Sequence, residues 1–259
     1  MTKPEEIQAE LEAYIDPVKR EYLPKFFKTG RGEYGEGDRF LGVVMPNVRL
    51  VARRHKDEPA EVDKFLGVVV PNTRLVAKRH KDAPLDVMAE LLQSQWHECR
   101  LCALLMLVER FRKSDETGRK AIFDFYLTQT ARINNWDLVD LSAPYIVGEY
   151  LKDKPRDVLR RLAADPLLWN QRIAVVATMP LIKNGDFTDI LTLVPHFFHT
   201  PHDLMRKACG WMLREVGKKD KAVLVRFLEE HCQVMPRTML RYAIEKFADD
   251  ERRRFMQRR

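Results

Sequence analysis

The sequence lacks the features that mark membrane and disulfide-rich proteins. Its longest uninterrupted apolar run covers only residues 101–108, whereas a membrane-spanning helix needs about 20 residues. Residues 1–17 carry charges where a signal peptide has an apolar stretch. The chain has four cysteines in 259 residues, too few for a disulfide scaffold. These absences predict a soluble intracellular protein that does not enter a membrane.

Glycine-rich and metal-binding motifs are also missing. The 11 glycines form neither a nucleotide-binding loop nor a nucleophile elbow around a serine. Cys99 and Cys102 form a CxxC pair beside His97, but zinc needs four ligands and no second CxxC is present, so both are interpreted as core residues. Three histidines in a proline-bounded loop are interpreted as surface or capping residues: His196, His199 and His202. The sequence therefore predicts no metal and no organic cofactor.

Positive charge exceeds negative charge by a moderate amount. The 45 Lys and Arg residues outnumber 38 Asp and Glu residues, which gives a formal net charge of +7. Such an excess suits a partner that carries phosphates, and it equally suits an ordinary basic enzyme. Hydrophobic residues make up 45% of the chain, enough to build a substantial core.

Helical periodicity runs through nearly the whole chain. In the segment PEEIQAELEAYI, apolar residues recur every three or four positions, as expected for one face of a helix. Asp115 precedes another such segment and is predicted to cap its N-terminus. No convincing set of alternating strands is present. The sequence therefore predicts an all-α fold.

Helix starts recur at a nearly fixed pitch. Five residues near the starts of apolar helices lie 36, 36, 35 and 34 positions apart: Arg100, Trp136, Arg172, Lys207 and Arg241. A period of about 35 to 45 residues is typical of helical pairs that stack into a curved solenoid with one concave surface. We therefore predict one solenoid domain over residues 1–259, with these five side chains directed into a single groove.

A second, shorter repeat has two copies that are much more similar in sequence. Residues 38–62 recur as residues 63–87, with 18 of 25 positions identical. Solenoid neighbours share only a sparse apolar pattern, so this identity indicates a local duplication, natural or constructed. Each copy is predicted to form a short helix after its proline, with a basic face that includes Arg49 in the first copy and Arg74 in the second. Such a face suits phosphates or, as an alternative, is only a solvated surface.

The segment NNWDLVD places two chemically notable residues on one predicted helix. Asn134 or Asn135 can cap a helix that begins at Trp136, and Asp140 follows Trp136 by four positions, so the indole and the carboxylate share a face. Pro144 is expected to interrupt that helix. From spacing alone, a structural explanation accounts for the pattern about as well as a functional site does. In that explanation Trp136 is a core residue, and Asp137 or Asp140 stabilises the first turn through the helix dipole.

Three segments together resemble a known family. NNWDLVDLSAPYIVGEYL, then LLWNQRIAVVAT, then RKACGWMLREVGKKD are similar, in that order, to the AlkD-like family of HEAT-repeat DNA alkylation-repair glycosylases. The upstream segment FFKTGRGEYGEGDRFLGVVMPNVRLVA resembles the N-terminal region of the same family. The resemblance spans about residues 26–247.

This resemblance implies a fold, a reaction and a site. The expected fold is a HEAT-like solenoid whose concave face grips duplex DNA as a monomer in the cytoplasm, associated with the nucleoid when bound. The reaction is excision of cationic N3- or N7-alkylated purines without base flipping and without a cofactor. The catalytic aspartate of the family corresponds to Asp140, and its two sugar-flanking aromatic residues correspond to Trp136 and Trp211.

Other candidate site residues come from the resemblance, from the pitch of the helices and from the basic helix faces. Arg172 corresponds to the family's supporting arginine and is expected to bind either a phosphate, which we favour, or a carboxylate. Tyr34 matches a family tyrosine through a looser alignment. The remaining candidates for DNA contacts come from the pitch and from the basic helix faces: Arg49, Arg74, Lys207 and Arg241.

Two alternative functions stay open at the level of sequence. The first is a non-catalytic HEAT-repeat scaffold that binds DNA or protein, because a fold alone does not imply a reaction. The second is a folded but inactive protein, because this chain carries two copies of a segment that the family carries once. The surplus copy puts Tyr34 and the N-terminal DNA contacts in doubt.

Overall fold

The computed structural model describes residues 3–12, 39–40, 64–65 and 70–257. The chain divides into two compact units, Met1–Leu138 and Val139–Arg259. Helices dominate both units, so the predicted all-α fold is confirmed. No helix within the described ranges is long and apolar enough to cross a membrane. The single solenoid domain stays a prediction.

The first unit is built from a set of helices and one very small strand pair. In chain order its elements are α1 (Pro4–Glu12), β1 (Arg39–Phe40), β2 (Lys64–Phe65), α2 (Val70–Arg79), α3 (Leu85–Gln93), α4 (His97–Lys113), α5 (Glu116–Thr128) and a 3₁₀ helix (Thr130–Arg132). The next helix, α6 (Trp136–Asp140), begins in this unit and ends in the second one.

The strand pair joins the two copies of the duplicated segment. β1 and β2 run parallel, with Arg39 opposite Lys64 and Phe40 opposite Phe65. Each residue therefore faces its own equivalent in the other copy. In the second copy the predicted helix after the proline is present as α2, although it already begins at Val70, just before Pro71. The helix predicted for the first copy lies outside the described residues.

The long helix α4 forms the centre of the first unit. It packs against α2, α3 and α5, and every residue from His97 to Val108 is buried. Cys99 and Cys102 lie fully buried in this helix as free thiols, and burial raises the pKa of both. They are core residues, as predicted. Buried thiols with a raised pKa are poor nucleophiles.

Two helix ends in this unit are closed by side chains. The Oδ1 atom of Asp115 accepts a hydrogen bond from the backbone N–H of Gly118 at 2.8 Å, so the predicted N-cap of α5 is confirmed. At the C-terminus of α3, the Arg132 guanidinium donates to the carbonyl oxygens of Leu92, Gln93 and Ser94. These carbonyls have no partner within their own helix, so Arg132 stabilises the helix end.

The second unit continues with short helices and one long one. In chain order its elements are a π-helix (Pro144–Gly148), α7 (Asp157–Ala164), α8 (Leu168–Val176), α9 (Met179–Lys183), α10 (Thr188–Leu193), a 3₁₀ helix (Val194–Phe197), α11 (Asp203–Lys219), α12 (Lys221–His231), α13 (Arg237–Ala243) and α14 (Asp249–Gln257). The helix that begins at Trp136 ends at Asp140, so the predicted break before Pro144 is present. Pro144 itself lies at the start of the π-helix that follows.

The long helix α11 forms the centre of the second unit. It packs against α8, α9, α12 and α13. Gly210 permits a close approach of α11 to α13, because a Cβ atom there would lie 2.5 Å from the carbonyl oxygen of Met239 in α13. A glycine at this position lets two helix backbones meet more closely than side chains would allow.

The predicted recurrence of helix starts is confirmed. The five helices α4, α6, α8, α11 and α13 begin at residues 97, 136, 168, 203 and 237, which are 39, 32, 35 and 34 positions apart. The prediction for Arg100 is wrong, however. Its side chain is fully buried and donates to the carbonyl oxygen of Ser94 at 2.8 Å, so it cannot face a DNA-binding groove.

Candidate active site

A carboxylate and a guanidinium form a paired contact in the second unit. Arg172 donates from Nε to Oδ1 of Asp140 at 2.9 Å and from Nη2 to Oδ2 at 2.8 Å. The two side chains are 5% and 14% exposed, respectively. This fork-to-fork geometry fixes the plane of the carboxylate as well as its position.

The Arg172 side chain also reaches the central helix of this unit. Its Nη1 atom donates to the carbonyl oxygen of Leu204, in the first turn of α11, at 2.7 Å. One guanidinium therefore links the end of α6 to the start of α11. We favoured a phosphate contact for Arg172 from the sequence. The structure instead shows the carboxylate contact, because the buried guanidinium is bonded within the protein.

The short helix that carries Asp140 is bounded on both sides. The Oδ1 atom of Asn135 accepts a hydrogen bond from the backbone N–H of Trp136 at 2.8 Å. A capping side chain bonds the second or third N–H of its helix, so the cap by Asn134 or Asn135 stays a prediction. The helix ends at Asp140, two turn residues follow, and Pro144 opens the π-helix. Trp136 and Asp140 are thus the first and last residues of a single five-residue helix.

Trp211 lies half-buried on α11. It follows Leu204 by seven positions, which is two helical turns, so it shares the side of α11 on which the Leu204 carbonyl meets Arg172. Its indole Nε1 donates to Oε1 of Glu215 at 3.2 Å. The nearby Cys209 thiol is fully buried, and burial raises its pKa, so it offers no nucleophile.

Trp136 lies half-buried in the first unit, next to a buried pair of a histidine and an aspartate. Nε2 of His97 is 2.7 Å from Oδ2 of Asp137, and the two side chains are 2% and 8% exposed. The sequence pattern alone does not predict this pair. The available signal was that His97 begins one recurrent helix and Asp137 lies in the first turn of the next.

A model of the family described as DNA alkylation repair enzyme matches residues 7–63 and 59–247 of this chain. The chain belongs to that family. The first match contains residues 38–62 and the second contains residues 63–87, so each match includes one copy of the duplication. Membership indicates an enzyme that takes part in DNA repair.

A comparison with solved structures shows the same fold. The chain is similar to a predicted DNA alkylation repair enzyme from Enterococcus faecalis, with a TM-score of 0.56 and 16% sequence identity. The similarity covers 71% of this chain and 89% of the other. A comparison with curated protein sequences found no significant match.

The residues predicted to contact DNA in this repair-family member differ in their surroundings. Tyr34 and Arg49 lie outside the described residues. Arg74 is half-buried on α2. Lys207 forms an ion pair with Asp203 at 2.6 Å, whereas Arg241 is exposed and makes no ion pair or hydrogen bond within the described part of the chain. Arg241 is therefore better prepared to meet a phosphate.

The structure thus brings some of the predicted site residues together. In the second unit, Asp140 and Arg172 are in direct contact, and Trp211 lies on the helix that Arg172 also contacts. Trp136 shares the helix of Asp140 but belongs to the first unit. The convergence of both indoles around one sugar stays a prediction.

Proposed function

We propose that this protein is a monomeric DNA glycosylase of the AlkD-like HEAT-repeat type, and that it hydrolyses the N-glycosidic bond of N3- and N7-alkylated purines in duplex DNA. The bidentate contact between Asp140 and Arg172 is the observation that carries this proposal. A non-catalytic scaffold has no need for a carboxylate whose orientation is fixed by two parallel hydrogen bonds.

The substrate chemistry suits a single fixed carboxylate. An N3- or N7-alkylated purine carries a formal positive charge and leaves readily, so no strong general acid or metal is needed to activate it. As the bond between C1′ and nitrogen breaks, positive charge develops on the sugar. Asp140 stabilises that oxocarbenium-like charge more in the transition state than in the ground state. It also orients a water molecule toward C1′.

Arg172 prepares Asp140 for this role. Two parallel hydrogen bonds from the guanidinium engage both oxygens of the carboxylate. The guanidinium therefore holds the acid in one orientation before the substrate arrives. Such preorganisation lowers the barrier because no groups must reorient as the sugar becomes charged.

The two indoles would hold the sugar of the damaged nucleotide. Trp136 and Trp211 are both half-buried, so each exposes part of its ring to a ligand. An indole face attracts a cationic sugar by about 0.5–2 kcal/mol through cation–π interaction. Enzymes that act on bases generally extrude the nucleotide into a pocket. We propose that here the lesion stays in the duplex, as the resemblance to the AlkD-like family implies.

The decisive experiment measures release of free 7-methylguanine and 3-methyladenine from alkylated duplex DNA. We expect Asp140→Asn to lower the excision rate by about 100-fold or more, since loss of one preorganised electrostatic contact costs on the order of 3 kcal/mol. Binding to undamaged duplex should change little. Equal rates for the parent protein and Asp140→Asn would remove Asp140 from the mechanism.

The same experiment tests the scaffold alternative. A parent protein that binds alkylated duplex and releases no base would be a non-catalytic DNA-binding module, and a parent that neither binds nor excises would be inactive. Arg172→Lys adds a graded comparison, because lysine keeps the charge but cannot form the two parallel hydrogen bonds. We expect its excision rate to fall between those of the parent and Asp140→Asn.

A further inference from the structure

Glu215 contacts the indole of Trp211 and has no part in the chemistry described above. It follows Trp211 by one helical turn on α11, and its Oε1 atom accepts the indole N–H at 3.2 Å. The Glu215 side chain is only 16% exposed. A half-buried indole N–H normally finds a partner, and here a carboxylate supplies it.

The charge of Glu215 is largely compensated by two neighbouring cations. Nζ of Lys218 lies 2.7 Å from the same Oε1 atom, and Nε of Arg214 lies 3.7 Å from it. Arg214 also pairs with Glu245. A compensated carboxylate adds little field at a distance. Its main effect is local, namely the hydrogen bond to Trp211.

That hydrogen bond restricts the orientation of the Trp211 ring, and the direction of the ring face decides how well it attracts a cation. An indole attracts a developing cation through its face, whereas its edge carries the opposite electrostatic character. Without this hydrogen bond, a half-buried tryptophan side chain would be free to change its rotamer. Because Glu215 holds Nε1, and Lys218 in turn holds Glu215, only a narrow range of ring orientations keeps both contacts.

We propose that Glu215 is a positioning residue that keeps one face of Trp211 directed at the sugar of the alkylated nucleotide. This inference rests on the proposed glycosylase function. It assigns Glu215 no direct contact with DNA, and it predicts that every effect of Glu215 on excision passes through the Trp211 ring.

The test compares two substitutions of Glu215 with a control glutamate. Glu215→Met removes the acceptor and keeps the length and helix propensity of the side chain, whereas Glu215→Gln keeps an oxygen acceptor without the charge. Glu230→Met is the matched control, because Glu230 is 73% exposed and, among the described residues, forms an ion-pair contact only with His231, at 3.7 Å. Each variant is assayed for single-turnover excision at saturating protein and for affinity to undamaged duplex.

We expect Glu215→Met to lower the single-turnover rate constant about 10-fold, because misplaced contacting groups slow a bound reaction while leaving the complex intact. Glu215→Gln should stay within about 3-fold of the parent, since a neutral hydrogen bond replaces a charged one. Duplex affinity should be unchanged in both variants. Glu215→Ala serves the same comparison if the methionine variant does not fold.

A double variant separates positioning from a general structural role. In a Trp211→Phe background, Glu215→Met should cause no additional loss of excision, because its effect requires the indole. A further loss in that background would overturn the inference. So would a parental excision rate in the Glu215→Met variant alone.

A spectroscopic measurement keeps the inference testable even if the parent excises no base. The four tryptophans give four indole N–H resonances, and Trp211→Phe identifies the one from Trp211. Glu215→Met should shift that resonance, and Glu215→Gln should leave it close to the parental position. An inactive parent with this pattern would refute the glycosylase proposal while leaving the Glu215–Trp211 contact established, whereas an unmoved resonance would refute the positioning role itself.

Discussion

At the scale of single residues, the buried pair of His97 and Asp137 bears directly on the helix that carries Trp136 and Asp140. That helix has only five residues, and isolated helices shorter than about 12 residues are marginal in water, so its placement depends on tertiary contacts. The contact at 2.7 Å between Nε2 of His97 and Oδ2 of Asp137 is one of them. The buried hydrophobic residues Leu138 and Val139 supply others.

We expect His97→Phe to lower the free energy of unfolding by about 3–5 kcal/mol, because it leaves the buried carboxylate of Asp137 without the side chain that contacts its Oδ2 atom. The double variant His97→Phe/Asp137→Leu should recover most of that loss, since it removes both polar groups together. Chemical denaturation of the parent, both single variants and the double variant measures the coupling. Additive effects would show that the two side chains do not depend on each other.

Residue identities were easier to predict than residue contacts. The order of the motifs predicted that Asp140, Arg172 and Trp211 share one site, and the structure brings the first two into contact. The choice between phosphate and carboxylate for Arg172 could not be made from the sequence, because its partner lies 32 positions away and the choice depends on burial and rotamer. The contact between Glu215 and Trp211 could not be predicted either, because their spacing in the sequence allows a hydrogen bond without requiring it.

At the scale of elements, two glycines of α11 make a matched pair. A Cβ atom at Gly210 would meet the backbone carbonyl of Met239 at 2.5 Å, whereas at Gly217 it would meet the flexible end of the Leu224 side chain. A helix backbone cannot move aside without repacking α13 against α11, but a leucine side chain can change its rotamer.

We therefore expect Gly210→Ala to destabilise the protein by about 1–3 kcal/mol, as overpacking of a tight core does. Gly217→Ala should be close to neutral, because the gain of up to about 1 kcal/mol in helix propensity offsets the local adjustment. Thermal melting followed by circular dichroism distinguishes the two variants. Equal melting temperatures would mean that α11 and α13 are free to separate at Gly210.

The elements predicted from the sequence were those with strong periodicity and clear caps. The starts of α4, α6, α8, α11 and α13 followed the pitch of the repeats, and the cap at Asp115 was readable from residue type. The strand pair was not predicted, because two residues per strand leave no alternating pattern. The burial of Arg100 was also missed, because pitch alone does not distinguish the inner side of a helix from its packed side.

At the scale of the whole molecule, the duplication raises the question of which copy builds the core of the first unit. Deleting one copy cannot answer it. The two copies share 18 of 25 residues, so removing either one leaves nearly the same chain. A substitution in one copy is more informative. Val76 of the second copy is fully buried on α2, which packs against α1 and α4. Val51 is its equivalent in the first copy.

We expect Val76→Asp to destabilise the protein by about 3–5 kcal/mol, because it places an unpaired charge in the core of the first unit. If the second copy alone builds this core, Val51→Asp will melt near the parental temperature. Melting curves of the two variants, recorded side by side, decide the matter. A parental melting temperature for Val76→Asp would show that α2 can be replaced by the segment from the other copy.

The net charge of +7 bears on how the whole molecule meets DNA. Affinity for duplex should fall steeply with salt and depend little on sequence, because each neutralised phosphate releases counterions. Arg241, which makes no ion pair within the described part of the chain, should contribute about one unit to the slope of log affinity against log salt concentration. Lys207 should contribute less, because its charge is already shared with Asp203 at 2.6 Å.

The comparison of Arg241→Gln with Lys207→Gln tests this difference directly. Affinity for one undamaged duplex is measured by fluorescence anisotropy over a range of salt concentrations, and the two slopes are compared with that of the parent. We expect a clearly smaller slope only for Arg241→Gln. If Lys207→Gln instead reduces the slope as much as Arg241→Gln or more, the inference is that DNA displaces Asp203 from Lys207 on binding. In that case the double variant Asp203→Asn/Lys207→Gln should bind no more weakly than Lys207→Gln alone.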